Sequence, residues 1–489
     1  MRFRAISTGF VVSIALAVAG CGGGGGGAAA SGGGADVAPA GTPVFVSINT
    51  DLGSSQWDKL KALINKFPDH RQAEVLLRSA LSGQGGLDYE NDVKPALGKT
   101  VDIIWLDLQN SGSNLVLVTQ PKDEGKFKDL IAKAGKSGGS KTYSAKVGDW
   151  WAISNSQSAL DSFKQASGGK NLSGDPNFKD AMGQISGDAL LTAYVDGQAL
   201  ANAFPTTTIA TGRPAPFDLD KLDYIAVGAS AQDEGLQLEG ALKGAGGPGV
   251  GASPFKSKLI SGVPEGALAF ADFHGGVALD QQIQSLQGLP QFQRSQRQFE
   301  QALGVRLEQV LALLHNEVAL YVRPGAPLPE FTLVLEEPNV PSALATLNTI
   351  ATRAARLGNG TVTTGNEGGV ATKTVRFKTY AVTFAGFDDR IVITTGASGI
   401  RDYRADGPKL SDDAVYKDAT GSAGVPDKSS GLLYVNLKDG IPLIENFATS
   451  TGRNLPPLVA RNLAPLRSFV AYGTGKTDSA KFTAFLQIK

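Results

Sequence analysis

Cysteine, histidine and methionine are almost missing from this chain: of 489 residues, one is Cys, three are His and two are Met. A single thiol excludes a disulfide scaffold, a zinc finger and any iron–sulfur cluster held by several thiolates. Three histidines leave little material for a His-rich metal site. An excess of one charge is missing too, because 46 basic residues balance 46 acidic ones. That balance argues against a strongly basic nucleic-acid binder and against an acidic solvating tail, so no nucleic-acid partner is expected. After the N-terminus no apolar run reaches about 18 residues, and no spanning helix is expected there. What is present is ample apolar content, 42%, enough for a globular core. The length suggests two or three domains.

The chain begins MRFRAISTGFVVSIALAVAGC. Arg2 and Arg4 make a positive start, and Gly9 to Ala19 form an apolar stretch too short to cross a bilayer, the pattern of an export signal over residues 1–20. Val18-Ala19-Gly20-Cys21 resembles the bacterial lipobox, in which the cysteine thiol is acylated and becomes the mature N-terminus. The one cysteine stands where that box requires it. Residues 21–35, glycine-rich after Cys21, cannot pack and read as a flexible tether with a reach of roughly 20 Å. The expectation is an extracytoplasmic protein held on a bacterial cell membrane through acylated Cys21, anchored and not integral.

The body reads as one unit written twice. Pro39 to Phe45 (PAGTPVF) aligns with Pro264 to Phe270 (PEGALAF), Val93 to Ile104 with Val310 to Tyr321, and Leu115 to Pro121 with Thr332 to Pro338. Trp151 to Ser154 matches Ile391 to Thr394, Leu172 to Ala181 matches Leu410 to Ala419, and Tyr194-Val195 matches Tyr434-Val435. The expected organisation is repeat 1 over 36–243, a Gly-rich linker over 244–254 and repeat 2 over 255–489. Within repeat 1, Val44 to Ile48, Val101 to Leu108, Leu115 to Thr119, Tyr143 to Val147 and Trp150 to Ser154 read as strands. Trp57, Leu60, Ile64 and Phe67 mark an amphipathic helix, and Asp123-Glu124 opens another carrying Phe127 and Leu130. Short turns between strands imply α+β architecture: two homologous tandem repeats, each a mainly antiparallel sheet with helices packed on one face.

The lipobox, the glycine tether, the P-x-G-x-x-x-F opening at Pro39 and Pro264, and the D-V-x-P-x-L-G segment at Asp92 to Gly98 resemble one bacterial lipoprotein family, catalogued as domain of unknown function 3352. The resemblance implies an extracytoplasmic α+β body. It brings no activity and no catalytic residues.

The motifs that could carry chemistry are thin. Asp272 and His274 lie two apart on a predicted strand, so both point to one face, and a general base or metal could use them; no third ligand is visible in the sequence. Their counterparts in the first copy are Ser47 and Asn49. His315 aligns with Gly98, which suggests a turn at positive φ, and His70 reads as a solvated surface residue. Gly98-Lys-Thr and Gly475-Lys-Thr lack the upstream glycine of a phosphate loop, and Gly244 to Gly249 cannot open the helix that a dinucleotide fingerprint needs. Ser253-Pro-Phe-Lys256 has no Lys-Thr-Gly to complete it. Asp175 and Asp413 read as helix N-caps, each followed by an aromatic anchor. Trp150-Trp151 reads as one ring in the core and one in solvent. No cofactor, metal-ligand set or catalytic residue is expected. The leading expectation is a non-enzymatic binding or envelope structural protein, its partner an apolar ligand or an envelope protein. One alternative is a carrier or sensor of an apolar ligand, lined by Phe45, Ile104 and Leu117; another is a hydrolase using Asp272 and His274.

Overall fold

The computed structural model describes residues 33–489 apart from 73–74, 76–87, 109–113, 138–140, 186–187, 204–218, 245–249, 277–282, 284–285, 288, 327 and 451–454. The export segment, Cys21 and most of the tether lie outside the described residues. The chain divides into two compact units. The first comprises residues 1–248 with 456–465 and 481–489, and the second 249–455 with 466–480.

The first unit contains β1 (Val44–Asn49), β2 (Thr100–Trp105), β3 (Leu115–Thr119), β4 (Tyr143–Val147), β5 (Trp150–Ser154), β6 (Leu191–Asp196), β7 (Tyr224–Gln232) and β8 (Gly235–Lys243). Every pairing among them is antiparallel, in the spatial order β4-β5-β3-β2-β1-β6-β7-β8. The β4–β5 hairpin turns at Gly148-Asp149, where Gly148 takes φ 58°, a conformation that glycine adopts without a Cβ penalty. Helices lie over both faces of this sheet, not over one. Phe45, Ile104, Val116 and Val118 meet the helices Gln157–Ala166 and Pro176–Gln184 through Leu160, Phe163, Phe178 and Met182. On the other face Ile48, Val101, Ile103, Leu117 and Ile153 meet Phe127 and Leu130 of the helix Glu124–Ser137. The cause is legible in β2 and β3 (TVDIIW, LVLVT), whose residues are apolar on both sides of the pleat and so need cover on both. Each large side chain buried this way stabilises the unit by about 1.5–3 kcal/mol.

The second unit contains β9 (Ala269–His274), β10 (Glu317–Arg323), β11 (Glu330–Glu336), β12 (Thr361–Glu367), β13 (Val370–Arg376), β14 (Ala381–Phe387), β15 (Arg390–Thr394), β16 (Gly431–Asn436) and β17 (Leu466–Gly475). Its antiparallel order is β12-β13-β14-β15-β11-β10-β9-β16-β17. Helices again cover both faces. Val318, Leu335 and Ile391 pack with Ala343 of the helix Val340–Leu357. On the opposite face Tyr434 meets Tyr416 of the helix Ala414–Ser422 edge-on, with ring centres 5.0 Å apart. The protein is therefore mixed α and β, built on extensive antiparallel sheet.

Candidate functional site

In the first unit the sheet face that carries Phe45 and Ile104 turns polar toward the end of β1. Ser47 pairs with Asp102 and Thr192, and Asn49 pairs with Thr100, so these groups share one face beyond the apolar core. Ser47, Asn49, Asp51, Ser54, Lys99, Thr100, Asp188, Ala189 and Thr192 line a cleft of about 160 Å³. Asn49 is held in place, its carbonyl Oδ1 accepting from the Asp51 amide at 3.0 Å and its Nδ2 donating to Ser54 Oγ at 3.3 Å. Asp188 accepts from Ser55 Oγ at 3.1 Å. Thr192, 3% exposed, lines the cleft wall, and its buried hydroxyl has no hydrogen-bond partner. Next to the cleft, fully buried Asp102 accepts from the Gly34 amide at 2.7 Å and from Thr100 Oγ1 at 3.2 Å. Burial pushes its carboxyl up to about 6, against the pull of hydrogen bonds from Ser47, Gly34 and Thr100.

In the second unit Asp272 and His274 do share a face of β9, and the strand register brings further groups to them. Glu317 sits directly opposite His274 on β10, and Ala319 opposite Asp272. Glu336, the last residue of β11, completes a set in which His274, Glu317 and Glu336 hold one ligand atom each, all within 4.8 Å of one another. Glu317 is fully buried; its Oε1 accepts from Ser257 Oγ at 2.7 Å and from the amides of Lys258 and Leu259 at 3.0 Å each. Lys258 Nζ reaches Glu336 at 2.5 Å. The His274 ring is exposed and lies against Phe255, with centroids 4.2 Å apart at 64°. Asp272 is buried and accepts from the Leu432 amide at 3.1 Å. Burial lifts its carboxyl to about 6, the Ser257 hydroxyl opposing and the Glu317 charge adding to the rise. No hydrogen bond joins Asp272 to His274. Asp272 acts as the fastening of β16, so the pair does not form an acid–base couple by itself.

The other sequence candidates resolve as follows. Neither Gly98 nor His315 has positive φ. Gly98 is glycine because a Cβ there would lie 2.2 Å from the Gln120 carbonyl oxygen, a matter of close approach and not of handedness. His70 donates from Nδ1 to the Phe67 carbonyl oxygen, 3.0 Å away. Asp175 caps its helix by accepting from the Asn177 and Phe178 amides, and Asp413 does the same for Val415 and Tyr416. Trp151 does not face open solvent: it tilts against Phe127 at 5.4 Å with the Lys128 ammonium over its ring, while Trp150 is in the opposite core. Phe45 and Ile104 are buried on one face and Leu117 on the other, so the three cannot line a single cavity. Sequence reasoning missed Glu317, Glu336, Asp102 and Thr192. The signal for Glu317 lies in the repeat, where Asn49 matches His274 and Thr100 matches Glu317, and the strand register then sets His274 opposite Glu317.

Among the described residues no helix is long and apolar enough to cross a membrane. No curated protein matches the chain. Among solved structures, crystal forms IV and I of TP0453 are similar at 18% and 16% identity, covering 46% and 47% of this chain and 76% and 79% of theirs, each with a TM-score of 0.24. A family model described as protein of unknown function (DUF3352) matches residues 131–488, most of the chain, and the protein belongs to that family.

Proposed function

We propose that this is a lipid-anchored extracytoplasmic binding protein made of two copies of one α+β domain, whose first copy takes up a small polar solute at the cleft beside Thr192. Duplication is supported by the strand registers. Phe45 pairs with Ile104 and Tyr194, and Phe270 pairs with Tyr321 and Tyr434, at the positions that the sequence alignment matches. The isolated bridges Pro39–Asn171 and Pro264–Lys409 repeat as well, as do the two aspartate caps. The register moves one part of the alignment by a residue: Val116 faces Ile104 where Thr332 faces Tyr321, so Val116 corresponds to Thr332. The hairpin β12–β13 is an addition of the second copy.

One observation carries the binding reading: a cleft lined by hydroxyl, amide, carboxylate and ammonium groups, with a buried hydroxyl left unpartnered. Unpaired buried polar atoms are uncommon because each forgoes about 1–3 kcal/mol of hydrogen bonding. The hydroxyl, amide, carboxylate and ammonium groups of that lining can each hydrogen-bond a polar ligand. A hydrolase built on Asp272 and His274 has no supporting hydrogen bond. Native mass spectrometry of the full chain, extracted in mild detergent, tests the cleft. A bound polar solute that is lost in Thr192→Val supports it, and a bare protein mass in the wild type removes it. Anchoring is tested separately, since Cys21→Ser must move the protein from the membrane fraction to the soluble one; retention in the membrane fraction refutes acyl attachment.

A further inference from the structure

The His274–Glu317–Glu336 cluster of the second unit offers a donor set with no counterpart among the described residues of the first unit. The geometry points to a divalent transition-metal site of the Zn²⁺ class, with His274, Glu317 and Glu336 as its protein ligands and a fourth position open to water. One imidazole nitrogen and two carboxylate oxygens form a combination that zinc accepts, and calcium or magnesium would favour an all-oxygen shell. A tetrahedral ion with bonds of about 2.0–2.1 Å separates its ligand atoms by about 3.4 Å. The three donors here already lie within 4.8 Å of one another, and the exposed His274 side chain can close the remaining distance.

Two features beyond proximity support the assignment. Glu317 is fully buried yet has no salt bridge among the described residues, its partners being a hydroxyl and two backbone amides. Buried carboxylates are generally paired with a cation or coordinated to one. The amides and Ser257 that hold Oε1 also fix the carboxylate's orientation, leaving Oε2 with the Lys258 amide alone, the kind of outer support that ligating carboxylates receive. The second feature is charge. Glu336 is bound by the Lys258 ammonium, which remains 65% exposed at its side chain, and faces Arg390 across the β11–β15 ladder, while Glu317 forms no salt bridge among the described residues. Lys258 therefore competes with the metal for Glu336 and must swing into solvent when the ion binds.

That competition makes the proposal separable from a merely structural role for the cluster. Zn²⁺ alone is titrated into the full chain carrying Cys21→Ser, which removes the thiol as a rival ligand, with Co²⁺ as the spectroscopic probe. The expected result is one ion per chain, with affinity falling at least about a hundredfold in His274→Ala and in Glu336→Gln, and rising in Lys258→Ala. Glu317 is left intact because its carboxylate holds the turn at Leu259. Circular dichroism and denaturation of each variant report folding independently of metal. No binding in the wild type overturns the site, as does binding that His274→Ala leaves unchanged; an unaltered affinity in Lys258→Ala overturns the competition.

Discussion

Replacing Asp102 by asparagine removes a charge that the first unit holds out of water. The carboxyl's ordinary value is 3.8, and burial lifts it to about 6 in the folded unit. Between those two pH values the folded state keeps the proton and the unfolded chain has lost it. Stability therefore falls as pH rises through this window, and at neutral pH the charged form costs about 3 kcal/mol, the gap multiplied by about 1.4 kcal/mol per pH unit. The asparagine can still accept from Gly34 with its carbonyl oxygen and has no charge to bury. The expected outcome is that Asp102→Asn gains about 3 kcal/mol over wild type between pH 4 and pH 7, with little difference at pH 4 and below. Carboxylates shifted the other way, such as Asp180, which Lys243 holds below its usual range, are common to both proteins and cancel. All four tryptophans, Trp57, Trp105, Trp150 and Trp151, belong to the first unit, so tryptophan fluorescence during urea denaturation reads the relevant transition selectively. A stability difference that stays flat from pH 4 to pH 7 would refute the argument, because it would mean that Asp102 titrates alike in both states.

Removing the helix caps by Asp175→Ala should lower the stability of the first unit by about 1 kcal/mol, read by the same fluorescence assay. Asp413→Ala should cost the second unit more, since Asp413 also accepts from the Gly266 amide at 3.1 Å; far-ultraviolet circular dichroism melts compare the two. Gly98→Ala places a Cβ 2.2 Å from the Gln120 carbonyl oxygen and should destabilise by about 1–3 kcal/mol, visible as a lower denaturation midpoint. Thr192→Val deletes an unpartnered hydroxyl and should leave stability unchanged or raised while ablating solute binding; a clear loss of stability would show that the hydroxyl is satisfied in the folded protein.

Strand positions were legible because their signal is local. The hairpin at Gly148, the strands Leu115–Thr119, Tyr143–Val147 and Trp150–Ser154, and both aspartate caps coincide with the sequence reading to the residue. The cover of helices on both faces was not legible in the same way. A continuous apolar run such as that of β3 indicates burial without saying how many layers supply it, and one ring of the Trp150-Trp151 pair was assigned to solvent for that reason. The site in the second unit was half legible. Asp272 and His274 share a strand, so their common face follows from the period of two. Glu317 and Glu336 come from other strands, and only the register shows that they converge. Asp102 was hidden for a related reason: a carboxylate in the middle of TVDIIW contradicts its neighbours, and the Gly34 amide that accounts for it is distant in sequence.

The fastening of the opening turn explains why the two units differ at this polar end. In the first, Asp102 accepts from the amide of Gly34; in the second, Glu317 accepts from the amide of Leu259, and residues 34 and 259 stand at equal distances before Pro39 and Pro264. The same task is thus done by a carboxylate from the second strand of each unit, at positions two residues apart on one face of that strand. Aspartate reaches the turn from deeper in the sheet and leaves small Thr100 at the strand's mouth, where the cleft opens. Glutamate, with one more methylene, reaches it from the mouth itself, opposite His274. Once a buried carboxylate stands there opposite His274, a further acid on β11 suffices to assemble a cation site. On the duplication reading, moving one acid two residues along a strand separates the polar cleft of the first unit from the His274–Glu317–Glu336 cluster of the second, so the two copies would bind different things by the same scaffold. Transplanting the difference tests this: Thr100→Glu combined with Asp102→Ala should preserve the fold of the first unit through a glutamate at the mouth and abolish solute uptake there. A folded double variant that still binds the solute would break the link between the turn's fastening and the cleft.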